Sequence, residues 1–460
     1  MFDTPETWRV LLQFFIIAVA VLAGNILRRK VPFITRSLMP SALLGGLLIL
    51  AVKLIPGANA LIDKRFMEVL TYHMLALGFI AMSLRTPRDT SKARTMTVID
   101  TGAMTVGTYL VQGLTGLLVT IPLFLWWRNP EAGYDIFYSG GMLLPMGFGQ
   151  GPGQALNFGT IYQQAAQDQG IEFWGIDFGL SIAAMGFILG SLVGVVYMNI
   201  LRHKGKLNAV GTIHEAKHTL QDYEDANELP DSESVDKSTI VICIVLMTYC
   251  MVFGLMKLIG MADLGTFGEK TLMPLVYGFN FLWGIILGTL VRLTLKHLRS
   301  WGFMHRAYLN NYMLNRVSGV CFDLMIVAGT AAISFENMKS FILPLALVCV
   351  LGCFTTFIYI RLLSRKLYPG YADEGFFSMF GMLTGTASNG MILLREIDPR
   401  YETPAANNLV LQSIPAMAMG FPILLLLGIA PRSMNATMIV LGIMAVLFVG
   451  LTLFLLRKRK

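Results

Sequence analysis

Apolar residues come in runs of about twenty along most of the chain, separated by short basic or polar turns. A helix of that length spans the roughly 30 Å hydrocarbon layer of a bilayer. The pattern predicts helices at Trp8–Ile26, Pro40–Ile55, Glu68–Leu84, Thr95–Trp127 and Trp174–Leu201. A second set follows at Thr239–Ile259, Met273–Leu295, Arg316–Phe335, Phe341–Leu363 and Pro404–Ile429, and Asn435–Leu456 comes last. Residues 202–237 are the one extended polar stretch, rich in acids (Glu215, Asp222, Glu224, Asp225, Glu228, Asp231, Glu233, Asp236), and read as a polar linker.

Two stretches have the length of a span but cannot be continuous helices. In Ser139–Ala165, Gly147, Gly149, Gly151 and Gly153 alternate with other residues, and Pro145 and Pro152 stand among them. Glycine costs about 1 kcal/mol and proline about 3 kcal/mol inside a helix. The second stretch, Gly375–Ile397, places Gly381, Gly385 and Gly390 around Thr384, Thr386, Ser388 and Asn389. Backbone broken at membrane depth is tolerated only where protein encloses it or it lines a polar cavity. Each stretch is therefore expected to form a re-entrant hairpin, at about 139–165 and 375–397. The expected fold is all-α and polytopic. A first repeat over 1–201 and a second over 238–429 each hold five helices and a hairpin, joined by the linker 202–237. Residues 430–460 add a helix with a basic tail. An odd number of crossings per half inverts the second half relative to the first, and such paired broken segments mark the binding site of a carrier.

Composition agrees: 55% of the residues are apolar, 14% are charged, and the mean hydropathy is +0.62. The net charge of +8 is no nucleic-acid signature, because the basic residues sit between apolar segments. With the N-terminus outside, roughly 27 of the 36 Lys and Arg fall on the inner side, the final Arg457–Lys460 included. Cys243, Cys250, Cys321, Cys349 and Cys353 lie in apolar segments without metal-ligand spacing. The first apolar run is too long for a cleaved signal and lacks a basic leader. No phosphate-binding loop, nucleophile elbow or zinc-hydrolase motif occurs, and the six histidines do not cluster. The chain is thus expected to be neither an enzyme nor an ATP-driven pump, and to hold no metal centre.

Free N–H groups at half-helix N-termini bind anions without a buried cation. The tips therefore give the expected substrate contacts: Gly149, Gln150, Gly151, Gly153 and Gln154 from one hairpin, and Gly385, Thr386, Ser388 and Asn389 from the other. Oxygen ligands suit a hard cation, which makes Thr384, Asn389, Gln412 and Asp323 the sodium candidates. Asp323 is singled out because an ionisable group at membrane depth is costly; the other reading makes it a structural partner of Arg316 or an asparagine. Asp100 is read as lying near the inner boundary, within reach of water. Arg395, Glu396 and Asp398 read as a solvated boundary group, a gate or a substrate contact, and Asn407, Asn408 and Gln412 as polar helix contacts or site lining. Asn310, Asn311 and Asn315 are expected in an inner loop.

Three pieces carry a resemblance: PSALLGGLL at Pro40–Leu48, GQGPGQA at Gly149–Ala155 and TGTASNGMILLREIDP at Thr384–Pro399. Over about residues 8–429 the chain resembles the bacterial sodium/glutamate symporters. The resemblance implies two inverted five-helix repeats with re-entrant loops, an outside N-terminus and a cytoplasmic linker in the bacterial plasma membrane. It also implies sodium-coupled uptake of glutamate by a homodimer, with sodium as coupling ion and no other cofactor. The residues leave open a citrate-like dicarboxylate or another organic anion, proton coupling, and a passive channel.

Cysteines placed within 202–237 and after Lys460 are expected to react from the cytoplasmic side in intact cells, as the Lys and Arg distribution requires. Labelling of the C-terminal site from outside alone would remove a crossing or invert the topology.

Overall fold

Breaks in the apolar helices, more than the helices themselves, shape this protein. The computed structural model describes residues 5–55, 57, 61–85, 92–205, 207, 234–261, 273–302, 308–398 and 403–457. Most of the expected linker 202–237, residues 86–91 of the basic loop after the third span, and residues 458–460 of the basic tail lie outside the described residues. Among those described, ten helices are long and apolar enough to cross a membrane, and no strand forms. The protein is an all-α, multi-pass membrane protein.

The elements in order are α1 (Pro5–Lys30), α2 (Pro32–Ser37), α3 (Ser41–Val52), α4 (Lys64–Ser83), α5 (Lys92–Trp126), α6 (Leu143–Gln150), α7 (Pro152–Gln167) and α8 (Gly175–His203). There follow α9 (Ser234–Gly260), α10 (Met273–Gly278), α11 (Asn280–Ser300), α12 (Asn311–Ala332) and α13 (Ile342–Leu367). The last are α14 (Ala372–Leu383), α15 (Ala387–Arg395), α16 (Ala405–Leu411), α17 (Ser413–Ile429) and α18 (Met434–Leu456).

Four expectations change, one being that the span at Met273–Leu295 is interrupted at Phe279, between α10 and α11. The span at Pro40–Ile55 is only the 12-residue α3, about 18 Å long and too short to cross alone. The span at Pro404–Ile429 breaks at Gln412, three residues before Pro415, which has no N–H to offer the Leu411 carbonyl. The loop expected at Asn310–Asn315 is the start of α12, because the Asn310 side chain accepts from the Met313 N–H at 3.0 Å and caps the helix.

The chain divides into two compact units. The first comprises residues 1–68, 90–213 and 326–460 and holds both broken stretches. Its axis is α5, against which α6, α13, α17 and α18 pack, while α8 packs against α6, α7, α13, α14 and α15. One face of α5 is polar yet buried: Thr101, Thr105, Thr108, Gln112 and Thr120 recur three to eight residues apart and are nearly or wholly without solvent contact. Each threonine hydroxyl bonds the carbonyl four residues back, as in Thr108 to Met104 at 2.8 Å and Thr101 to Thr97 at 2.7 Å.

The same unit buries one carboxylate in a dense network. Asp177, in the first turn of α8 and 1% exposed, accepts from Lys64 Nζ at 2.9 and 3.0 Å. It also accepts from the Ser334 N–H at 2.9 Å and from Asn337 Nδ2 at 2.7 Å. Beside it, Lys53 donates to the carbonyls of Ala331 and Ile333 at the end of α12. The second unit, residues 69–89 and 214–325, has its own apolar core. There Ile80 and Ala81 of α4, with Leu84 just after it, meet Val241, Val245, Val252 and Met256 of α9, with Val276 and Leu314.

Asp177→Ala removes four accepted hydrogen bonds and strands a lysine. It is expected to cost about 2 kcal/mol, a value discounted because Lys64 is partly exposed. Thermal unfolding in detergent should show the loss against the control Glu172→Ala, whose side chain is exposed.

Candidate functional site

Each broken stretch folds as two helices that run out and back. In the first, Gly151 separates α6 from α7 with φ +81° and ψ −173°, a conformation that only glycine adopts freely. Pro152 then starts α7, where its missing N–H is no loss. The chain entering α6 stays beside the chain leaving α7: Tyr138 Oη donates to Gln169 Oε1, and the Phe137 ring meets Tyr162 edge to face and Phe173 at a tilt. In the second stretch, residues 384–386 separate α14 from α15. The two helices touch backbone to backbone, since a methyl group on Gly381 would lie 2.8 Å from Gly390 Cα and one on Gly390 would lie 2.3 Å from the Ser378 carbonyl oxygen. The tip is latched by Asn389, whose Nδ2 donates to the Gly381 carbonyl at 3.3 Å while its Oδ1 accepts from Ser191 at 3.3 Å.

The two tips meet on α5 and α8. At Gly186 of α8, a methyl group would lie 2.7 Å from the Thr384 carbonyl oxygen and 2.9 Å from the Phe148 ring. Gly190, one turn on, faces the Thr384 hydroxyl. From α5, Tyr109 Oη donates to the Gly149 carbonyl at 3.4 Å, and Gln112 Nε2 donates to the Leu383 carbonyl at 2.8 Å and to Thr356 Oγ1 at 3.0 Å. Small residues on α8 thus let both tips approach one helix, and the polar face of α5 satisfies carbonyls that end the first half-helices.

The expected contacts divide by what their side chains do. Gly149, Gly151, Gly153 and Gly385 sit buried at the tips. Gln154 is wholly buried, and neither atom of its amide has a partner; Thr386 Oγ1 is likewise buried without one. Gln150 is half-buried, and Ser388 is exposed, turned away from the buried groups. Three sodium candidates make hydrogen bonds within the fold. Asn389 forms the latch, Thr384 Oγ1 donates to the Phe380 carbonyl at 2.7 Å, and Gln412 Oε1 accepts from Thr105 Oγ1 at 2.8 Å. Asp323 belongs to the second unit, where its side chain is exposed, and Arg316 lies not against it but over the Tyr312 ring.

Asp100 is buried, 5% exposed, instead of reaching water. Asp398 accepts from the Thr403 N–H at 3.0 Å and its hydroxyl at 2.6 Å, and the Glu396 carbonyl accepts from Arg202 at 3.1 Å, so this group ties the end of α15 to its surroundings. Asn408 donates to Tyr371 Oη at 2.9 Å, whereas Asn407 is exposed.

Gln112 and Tyr109 escape the reading of the sequence, although Thr101, Thr105, Thr108 and Gln112 at helical spacing in an apolar run are its visible trace. No Lys, Arg, His, Asp or Glu occurs in Ser139–Ala165, in residues 375–394 or in residues 101–127, so the field at the tips comes from helix ends and neutral dipoles. Among the described residues no group of His, Cys, Asp and Glu is arranged to hold a metal ion. The chain matches no known protein-family model and no curated protein.

A buried amide with neither atom paired costs about 1–3 kcal/mol. Gln154→Leu is therefore expected to raise the unfolding temperature in detergent while weakening ligand affinity roughly ten-fold, as loss of one hydrogen-bonded contact would. A lower unfolding temperature would make Gln154 a structural residue.

Proposed function

We propose that the protein is a secondary transporter that couples sodium entry to uptake of glutamate or a similar small carboxylate by alternating access. The observation that carries this reading is the meeting of two broken helix pairs whose tips bury polar groups left without partners, Gln154 and Thr386. The N-terminal turns of α7 and α15 offer N–H groups for a carboxylate, and neither turn contains a Lys, Arg or His. Complete burial of Gln154 favours a carrier over a passive channel, because a ligand reaches it only when the surrounding helices move. The sequence resemblance supplies the sodium and the glutamate, and with them the bacterial plasma membrane, the outside N-terminus, the cytoplasmic C-terminus and the homodimer. On this reading the two broken pairs are re-entrant hairpins belonging to two inverted repeats.

Uptake into proteoliposomes under an imposed sodium gradient tests the proposal, with glutamate, other amino acids and dicarboxylates as labelled substrates. Sodium-dependent accumulation of glutamate, with faster exchange when unlabelled substrate is inside, is expected. Equal uptake under a proton gradient alone, or flux without such exchange, would overturn the coupling or the carrier. Gly151→Val forces a β-branched residue into left-handed backbone, and Gly385→Val drives a side chain into the Phe187 ring. Both are expected to abolish uptake while the protein still inserts and purifies. Normal uptake by both would remove the tips from the site.

A further inference from the structure

Gln112 carries more than its two hydrogen bonds explain. Its side chain has no solvent contact. The Leu383 carbonyl can only accept, so the amide nitrogen must face it, which fixes the orientation of the whole group. The oxygen Oε1 is thereby turned the other way and has no donor. It lies 3.4 Å from where a methyl group on Gly149 would stand, against the last turn of α6.

That turn is itself rich in acceptors. The Phe148 carbonyl would bond the N–H four residues on, but position 152 is proline and has none. The Gly149 carbonyl has only the long bond from Tyr109. The end of a helix carries partial negative charge, and no acidic or basic side chain stands in the tips or in this part of α5 to offset it. A buried, oriented oxygen beside the negative end of a half-helix attracts a cation, and neutral oxygens are the ligands of a hard one.

We propose that Gln112 Oε1, with the C-terminal turn of α6, forms the site of the coupling cation, a hard monovalent ion such as sodium. This inference rests on the transport reading for its meaning, though not for its test. It adds to the candidates Thr384, Asn389 and Gln412 a residue of α5 that also holds the second tip through Leu383. An ion bound there lies beside the first hairpin, and the residue that binds it grips the second.

The test is a sodium titration of the purified full-length protein, followed by its unfolding temperature without substrate. Choline chloride holds the ionic strength constant. The parent should be stabilised saturably by sodium and not by choline. Gln112→Leu removes the oxygen and should raise the sodium half-saturation at least about ten-fold. Gln112→Glu, protonated in this buried place, can donate its hydroxyl to the Leu383 carbonyl and keep its carbonyl oxygen towards α6, so its half-saturation should lie nearer the parent's than that of Gln112→Leu. An unchanged midpoint in Gln112→Leu, a midpoint in Gln112→Glu no lower than that of Gln112→Leu, or a parent indifferent to sodium would each overturn the site. Proton-driven uptake by a parent without sodium response would overturn the site and leave the carrier standing. An intact, Gln112-dependent sodium response in a protein that accumulates no substrate would support the site and overturn the transport reading.

Discussion

A backbone that stops being helical inside an apolar layer must find hydrogen-bond partners from elsewhere in the protein, because the lipid offers none. That demand governs the first unit. The half-helices end at Gln150 and Leu383, and side chains of α5 reach both ends: Tyr109 to Gly149 and Gln112 to Leu383. Asn389 and Ser191 close the second tip. The glycines of α8 follow from the same need, since donors and acceptors only a few ångströms long help only where the tips pack close.

This explains what the sequence shows and what it hides. Apolar run length locates nearly every crossing helix, because span length is a property of consecutive residues. It overstates Pro40–Ile55, where apolar character continues past the end of α3. The breaks at Gly151 and at residues 384–386 were legible because glycine and proline act on their own backbone. Side-chain roles were not, since they depend on partners far away in the chain. Asn389 stands out as a polar residue at a tip, but only the fold brings Ser191, almost two hundred residues earlier, against it. Gln112 looks like an isolated polar residue until Leu383 fixes its orientation. Asp177 drew no attention as an acid at a helix start, and only the fold gathers Lys64, Ser334 and Asn337 around it.

The contrast between Gln154 and Asn389 separates two uses of the same chemistry. Both are amides in the first turn of a second half-helix, third after the break. One has both ends tied to the fold, and the other has neither. Stability is served where the amide is paired, while the unpaired one is a cost that folding alone does not explain.

The threonines of α5 have a bearing on how neighbouring helices can slide. Thr105 shares its hydroxyl between its own backbone at Thr101 and the side chain of Gln412, and Thr120 between Gly116 and the Tyr138 carbonyl. Thr115 does the same between Val111 and Thr355. When such a neighbour shifts out of reach, the hydroxyl keeps its bond to the carbonyl one turn back and is never stranded. These threonines thus work as a ratchet without teeth: polar enough to register their neighbours, yet with no unpaired donor of their own as the penalty for letting them go.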